Sequence, residues 1–240
     1  MPEQTLAFAG LSAVLQAQLV QLSRVQHVTQ GETIIADGER LNSIGYVYTG
    51  MFKMEKIEEG GRAQILGLLV QGHIAGQIFS SNATFAVEAV TDGVIVWFDR
   101  QAFEALVRSY PELEHRILLD VLDELDATRE WLILLGSPRV VGRVASFLLM
   151  LCRIVPPDKR AADWPQGEVV HLPISRADLS SYLGTRPETV SRALTLLARD
   201  KIIEAIDRSS FRIVDIGALV DLSSMTIMHS KQRIFTRNVK

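Results

Sequence analysis

Ile174-Ser-Arg-Ala-Asp-Leu-Ser-Ser-Tyr-Leu-Gly-Thr-Arg-Pro-Glu-Thr-Val-Ser-Arg192 is the stretch that decides how this chain of 240 residues folds. Ser175 stands where an N-cap belongs, and Asp178 three residues later completes a box-like start for a helix over Arg176 to Leu183. Gly184-Thr185 ends that helix. Pro187, whose missing N–H costs nothing in a first turn, opens the next, which runs from Glu188 to Arg199. Val190, Leu194 and Leu197 form its apolar face, and Ala193 is small enough for close approach to the first helix. Helix, short glycine-bearing turn, helix is a helix-turn-helix pattern. The side chains left outward near the second helix's N-terminus are Arg186, Glu188, Thr189, Ser191 and Arg192. Those types suit base edges in a major groove: Arg spans guanine O6 and N7, Glu accepts from cytosine N4, and Ser serves donors or acceptors. The competing reading is a plain helical hairpin with solvated charges.

Downstream, Ile202-Ile203 and Ala205 to Val214 read as a β-hairpin, with Arg208 and Arg212 flanking its turn as a wing that touches phosphates would require. Upstream, Val169 to Pro173 reads as a short edge strand with Pro173 at its end, after a polar loop at 156–167. Gly136-Ser137-Pro138 punctuates the chain. Ser137 is suited to cap, and Pro138 to open, a helix reaching about Arg153, so the domain hinge is expected here. Between Pro111 and Leu135, Leu118, Leu122, Leu125 and Leu132 keep a heptad-like seam, with Arg129 at the skipped position. A second stripe of Ile117, Val121 and Leu125 faces the other way. A helix apolar on two sides needs two partners, its own β domain and the same helix of a second subunit, unless it is buried within one chain. Asp120, Asp123, Glu124 and Asp126 are expected to form a solvated face with Arg129.

The first hundred residues differ in texture. After a helical pattern from Leu11 to Leu22 come short β-rich runs: Thr33 to Ile35, Ile44 to Tyr48, Phe52 to Met54, Gln64 to Leu66, Phe85 to Val87 and Val94 to Phe98. Turn signals separate them, at Asp37-Gly38, Thr49-Gly50, 58–61, Gln71-Gly72 and Asp92-Gly93. Short strands at this rhythm make an antiparallel sandwich or barrel. Helical texture returns near Gln101, so the whole is α+β.

Charge separates the halves. Residues 1–136 carry 9 Lys and Arg against 18 Asp and Glu, and residues 137–240 carry 16 against 10, so the net charge of −3 hides a basic second half fit to meet a polyanion. No apolar run approaches the ~18 residues of a membrane span, and no basic region with an apolar core opens the chain, so a cytoplasmic protein without membrane contact is expected. The one cysteine, Cys152, sits in an apolar helical pattern and reads as a core residue, with a redox switch as the alternative. Alone it supplies neither an intramolecular disulfide nor the ligands of an iron–sulfur cluster or structural zinc. Gly-rich phosphate loops, nucleophile elbows and metal-ligand clusters are not seen, which disfavours an enzyme.

The Ile174–Arg192 stretch resembles the helix-turn-helix of the CRP/FNR family of bacterial regulators, closest to the FNR and FixK branch. Glu188, Ser191 and Arg192 match that branch's Glu-x-x-Ser-Arg. Arg186 departs from it, standing where FNR-like chains often carry a small capping hydroxyl residue. Gly31-Glu-Thr-Ile-Ile35, Gly38 and Val47-Tyr-Thr-Gly50 are similar to the family's β-roll, and Leu125-Asp-Ala-Thr-Arg-Glu-Trp131 falls on its dimer helix. The resemblance implies a β-roll sensor domain over 1–110, a dimerisation helix over 111–136 and a winged helix-turn-helix domain over 137–240. It implies double-stranded DNA, a second copy and RNA polymerase as partners, a TTGAT-like inverted repeat as the site, and a response to low oxygen, nitric oxide or redox state. A regulator responding to an unidentified metabolite is the alternative.

The resemblance leaves the effector open. Cyclic-nucleotide binders of the family carry Gly-Glu, for the ribose, and Arg-Ser or Arg-Thr, for the phosphate. Here Gly76 is followed by Gln77, the next candidate pair is Thr84-Phe85, and no Arg or Lys occurs between Arg62 and Arg100. A buried phosphate without a cation is costly, so cyclic AMP is disfavoured. FNR's own cluster needs more cysteines than Cys152. Haem in some relatives needs an axial ligand, for which His73 lies nearest the expected pocket among His27, His73, His115, His171 and His229. FixK-like relatives work without a cofactor.

Overall fold

The computed structural model describes residues 10–57, 63–154 and 169–223. The expected turn at 58–61, the loop at 156–167 and His229 lie outside them. The chain divides after Asp126 into two compact units.

The first unit begins with helix α1 (Ala13–Leu22). Strands β1 (Ser23–Val28), β2 (Thr33–Ile35), β3 (Ser43–Thr49), β4 (Phe52–Ile57), β5 (Ala63–Leu69), β6 (Ile74–Ala75), β7 (Ala86–Ala89) and β8 (Gly93–Asp99) follow, then α2 (Arg100–Ser109). The strands form two four-stranded sheets, in the orders β1-β8-β3-β6 and β2-β7-β4-β5, with antiparallel neighbours throughout. Val28, Val47, Ile95 and Trp97 of one sheet and Ile35, Phe52, Leu69 and Val87 of the other share one core. The Trp97 indole N–H donates to Gln26 Oε1 at 2.8 Å, so the large ring is buried with its polar atom satisfied. The first sheet is covered on its other face as well, where Ile44, Tyr46, Val96 and Phe98 pack against Leu15 and Leu19 of α1 and Phe103 and Val107 of α2. Burial on both faces is why β3 and β8 read as unbroken apolar runs. β1 and β6 were not expected from the sequence: β1 is a largely polar edge strand held by β8 alone, and β6 is two residues long. Asp99 starts α2 by accepting the Ala102 N–H at 2.9 Å.

Helix α3 (Pro111–Gly136) contains the division between the units. Two expectations about it are corrected. Leu113 is buried and Ile117 packs on the same core, but Val121 and Leu125, expected to continue that stripe, are exposed. Leu113 and Ile117 instead set a helical face that continues through Arg116, Asp120, Asp123 and Glu124. Arg116 Nε lies 3.3 Å from Asp120 Oδ1, and burial raises the Glu124 carboxyl above its usual range. Of the four carboxylates assigned to a solvated face with Arg129, only Asp126 is exposed beside it. The opposite side of α3 is apolar and open: Leu118, Val121, Leu122, Leu125, Leu132 and Ile133 are between 42% and 62% exposed. A helix buried within one chain is thereby excluded.

The second unit holds α4 (Val140–Ile154), β9 (Val169–His171), α5 (Arg176–Tyr182), α6 (Pro187–Arg199), β10 (Ile203–Ala205), β11 (Ser210–Ile213) and α7 (Ile216–Leu222). Val144, Phe147, Leu148, Leu151 and Cys152 bury one side of α4. That helix starts later than expected. Arg139, not Ser137, offers the first free carbonyl, to the N–H groups of Gly142 and Arg143. Ser137 is buried and its carbonyl accepts from Arg143 Nε at 2.9 Å, which leaves Pro138 in the turn instead of at N1. β10, β11 and β9 form one antiparallel sheet in that order, with β9 at the edge and ending before Leu172.

Candidate DNA interface

Helix α5 begins as its sequence dictates: Ser175 Oγ accepts the Asp178 N–H at 3.0 Å and donates to Asp178 Oδ2 at 2.8 Å. After it Gly184 adopts φ +59°, the left-handed region that a glycine occupies without strain. Helix α6 enters at Arg186, whose backbone is extended (φ −109°, ψ 149°) and whose side chain makes no cap bond; Pro187 follows as the first helical residue. The departure at Arg186 thus costs the cap without moving the helix start.

Val190, Ala193, Leu194 and Leu197 are buried, as the apolar stripe requires. Glu188, Ser191 and Arg192 are exposed, Thr189 is half-buried, and the exposed row continues to Thr195, which the sequence reading missed. Positions 188, 191, 192 and 195 share one helix face. Ser191 Oγ donates to the Pro187 carbonyl at 3.0 Å and Thr195 Oγ1 to the Ser191 carbonyl at 3.0 Å. Their oxygens keep lone pairs outward as acceptors.

The wing is the β10–β11 hairpin. Asp207 holds its tip, accepting the N–H groups of Ser209 and Ser210 at 2.7 Å each; these bonds draw its pKa down to about 2. Arg208 is exposed there, and its carbonyl accepts from Arg176 Nη2 at 2.7 Å. Arg176, also missed from the sequence, has its guanidinium carbon 5.5 Å from the Phe211 ring centroid and so ties α5 to the wing. Arg212 is exposed on β11 and paired with Glu204 of β10.

In the first unit, Gln77 Nε2 donates to Thr84 Oγ1 at 3.1 Å, so the two positions matched to the family's ribose and phosphate contacts bond each other. Residues 63–99 bring no Arg or Lys to a cyclic phosphate there, and the Lys56 ammonium, which reaches the Thr84 carbonyl at 2.8 Å from β4, is already paired with Asp37 at 2.8 Å. His73 precedes β6 and has a buried Nδ1 with no hydrogen-bond partner. Burial lowers its pKa, against the opposing fields of Asp120 and Asp123. His27, His115 and His171 are exposed.

Residues 25–110 match the family model of the cyclic nucleotide-binding domain, and residues 142–222 that of the Crp-like helix-turn-helix domain. The chain is 32% identical over 206 residues to the transcriptional activator protein FnrL of Cereibacter sphaeroides, covering 85% of this chain and 82% of that one. It is 31% identical over 198 residues to the nitrogen fixation regulation protein FixK of Bradyrhizobium diazoefficiens, covering 82% and 81%. The structure of FixK2 from Bradyrhizobium japonicum superposes with a TM-score of 0.73 at 25% identity, over 84% of this chain and 97% of that one. These relatives are regulators, and their likeness runs through roll, long helix and helix-turn-helix alike; the chain belongs to the CRP/FNR family of transcription regulators, on its FixK-like branch.

Proposed function

We propose that this protein is a homodimeric, sequence-specific DNA-binding regulator that reads an inverted repeat with TTGAT-like half-sites. The observation that carries the reading is the exposed row Glu188, Ser191, Arg192 at the start of α6, backed by the buried Val190, Leu194 and Leu197. Arg186 and Thr189 flank that row, and Arg208 and Arg212 stand on the wing for phosphates. The exposed apolar side of α3 supports the pairing, with Leu118, Leu122, Leu125 and Leu132 as its seam and Arg129 beside them. On this reading the domains are the roll to residue 110, the dimerisation helix 111–136 and the DNA-binding part from 137. Among the described residues no helix is long and apolar enough to cross a membrane, which agrees with action in the cytoplasm beside RNA polymerase. Low oxygen, nitric oxide or redox state is the signal that the resemblance to the FNR and FixK branch implies. Gel-shift titration of the purified protein on a duplex with TTGAT facing ATCAA about one helical turn apart, and on scrambled DNA, tests the reading. Specific retention of the repeat is expected, and equal retention of both would overturn it.

A second reading of the sensor rests on one observation: Gln77 Oε1 is buried without a partner beside the Thr84 contact. A small metabolite with a hydrogen-bond donor would satisfy it. Native mass spectrometry and the absorption spectrum of the purified protein distinguish a bound metabolite or haem from an effector-free chain.

A further inference from the structure

The last carbonyls of a helix lack intrahelical donors, and those of α5 end in the turn that aims the recognition helix. Two side chains from outside the helix-turn-helix reach them. Trp131, near the end of α3, donates its indole N–H to the Tyr182 carbonyl at 3.1 Å and stacks on the Tyr182 ring with centroids 5.7 Å apart. Arg143, in the first turn of α4, donates Nη1 to the carbonyls of Leu183 at 2.7 Å and Gly184 at 3.3 Å. Its Nε holds the Ser137 carbonyl at 2.9 Å, so one guanidinium ties the α3–α4 connection to the turn. A Cβ on Gly184 would lie 3.5 Å from Leu135 Cδ2 and 3.7 Å from Arg143 Nη1.

We infer that Trp131 and Arg143 are positioning residues that hold the turn of the helix-turn-helix to the tail of α3 and so set the half-site spacing the dimer accepts. The inference rests on the proposed reading of an inverted repeat by two copies paired along α3. If α3 sets the two-fold axis, whatever fixes the turn against its tail fixes where each recognition helix meets the duplex. One base pair of added spacing moves a half-site by about 3.4 Å and turns it by roughly 35° about the DNA axis, a change that a rigid pair of heads does not follow. Neither side chain lies on the α6 face that meets bases, so loosening them leaves base preference as it was.

The test compares the full-length protein with W131F, R143Q and the double variant on inverted repeats whose spacer is the one that sets the half-sites one helical turn apart, one base pair shorter or one longer. Half-site substitutions measure base preference alongside. The wild type is expected to lose about tenfold in affinity on either spacer change, and the double variant less than about threefold, with base preference and sedimentation as a dimer unchanged. W131F keeps a ring on Tyr182 and removes the indole N–H. It carries the test by itself, with an intermediate penalty expected, where the double variant does not fold. A wild type that discriminates spacing and variants that do so equally would overturn the clamp alone. A wild type indifferent to spacing would overturn both the clamp and the paired reading beneath it.

Discussion

Arg212 and Glu204 stand directly opposite each other on the two strands of the wing, joined as an ion pair. The charge expected to meet a phosphate is therefore already partnered, and a carboxylate accompanies it toward the DNA. Glu204→Gln should raise affinity for every sequence and steepen the salt dependence by about 0.9 in log–log slope per wing, or about 1.8 for the two wings of a bound dimer, the contribution of one further phosphate contact each. Arg212→Ala should weaken all sequences about equally. Both groups are well exposed, so the pair contributes at most about 1 kcal/mol to stability and neither change should unfold the wing. Titrations at two or more salt concentrations check this. An unchanged slope in Glu204→Gln would place the wing away from the backbone.

Leu122 and Leu125 lie exposed on α3 within the apolar side that a second copy is proposed to cover. Replacing both by Asp would bury four carboxylates against each other in the dimer, at a cost of several kcal/mol. Sedimentation should show monomers at concentrations where the wild type is dimeric. A dimer that survived the double change would move the interface off α3.

His73 supplies a pH dependence. Its folded pKa is lowered by burial, so below an unfolded value of about 6.5 the unfolded chain binds the proton more readily. Its contribution to stability is then complete above that value and is lost as pH falls from about 6.5 through the lowered native pKa. Glu124, raised by burial, acts in the opposite sense, its contribution declining as pH rises above the usual carboxylate range. Comparing His73→Gln with the wild type isolates the histidine. Urea midpoints of the wild type should fall faster between pH 7 and 5 than those of the variant. Parallel curves would show that His73 carries no such linkage.

Local signals were the ones the sequence could deliver. Ser175, Gly184 and Pro187 act within a few residues of themselves, and the helix-turn-helix stands where they place it. The doubly covered strands β3 and β8 announced themselves by composition. What was hidden depends on partners far along the chain. The inward face of α3 is fixed by Leu113 and Ile117 against the roll, so a reading that stepped by four from Ile117 put Val121 and Leu125 on the wrong side. Ser137 had every local reason to cap α4, yet Arg143 takes its carbonyl and the helix begins at Val140. The ties of Trp131 and Arg143 to the turn span 51 and 40 residues, and no spacing rule reaches that far.

Arg192 separates reading of sequence from mere attraction to DNA. It is exposed one turn along α6 from Glu188, on the face opposite the buried Val190 and Leu194. An Arg so placed can grip guanine O6 and N7 together, and Glu188 can accept from a cytosine N4 on the other strand, with Ser191 beside a neighbouring thymine. Arg192→Ala should cost about 1–3 kcal/mol per half-site and relax the preference at one base pair, leaving the others as they were. Arg212→Ala serves as the control, since a phosphate contact carries no base preference. The measurement is competition binding with every single-base substitution in one half-site, run at two salt concentrations. Selective loss of the guanine preference identifies Arg192 as its reader. A uniform drop across all substitutions, matching that of Arg212→Ala, would mean that Arg192 touches the backbone and that α6 lies in the groove in a different orientation.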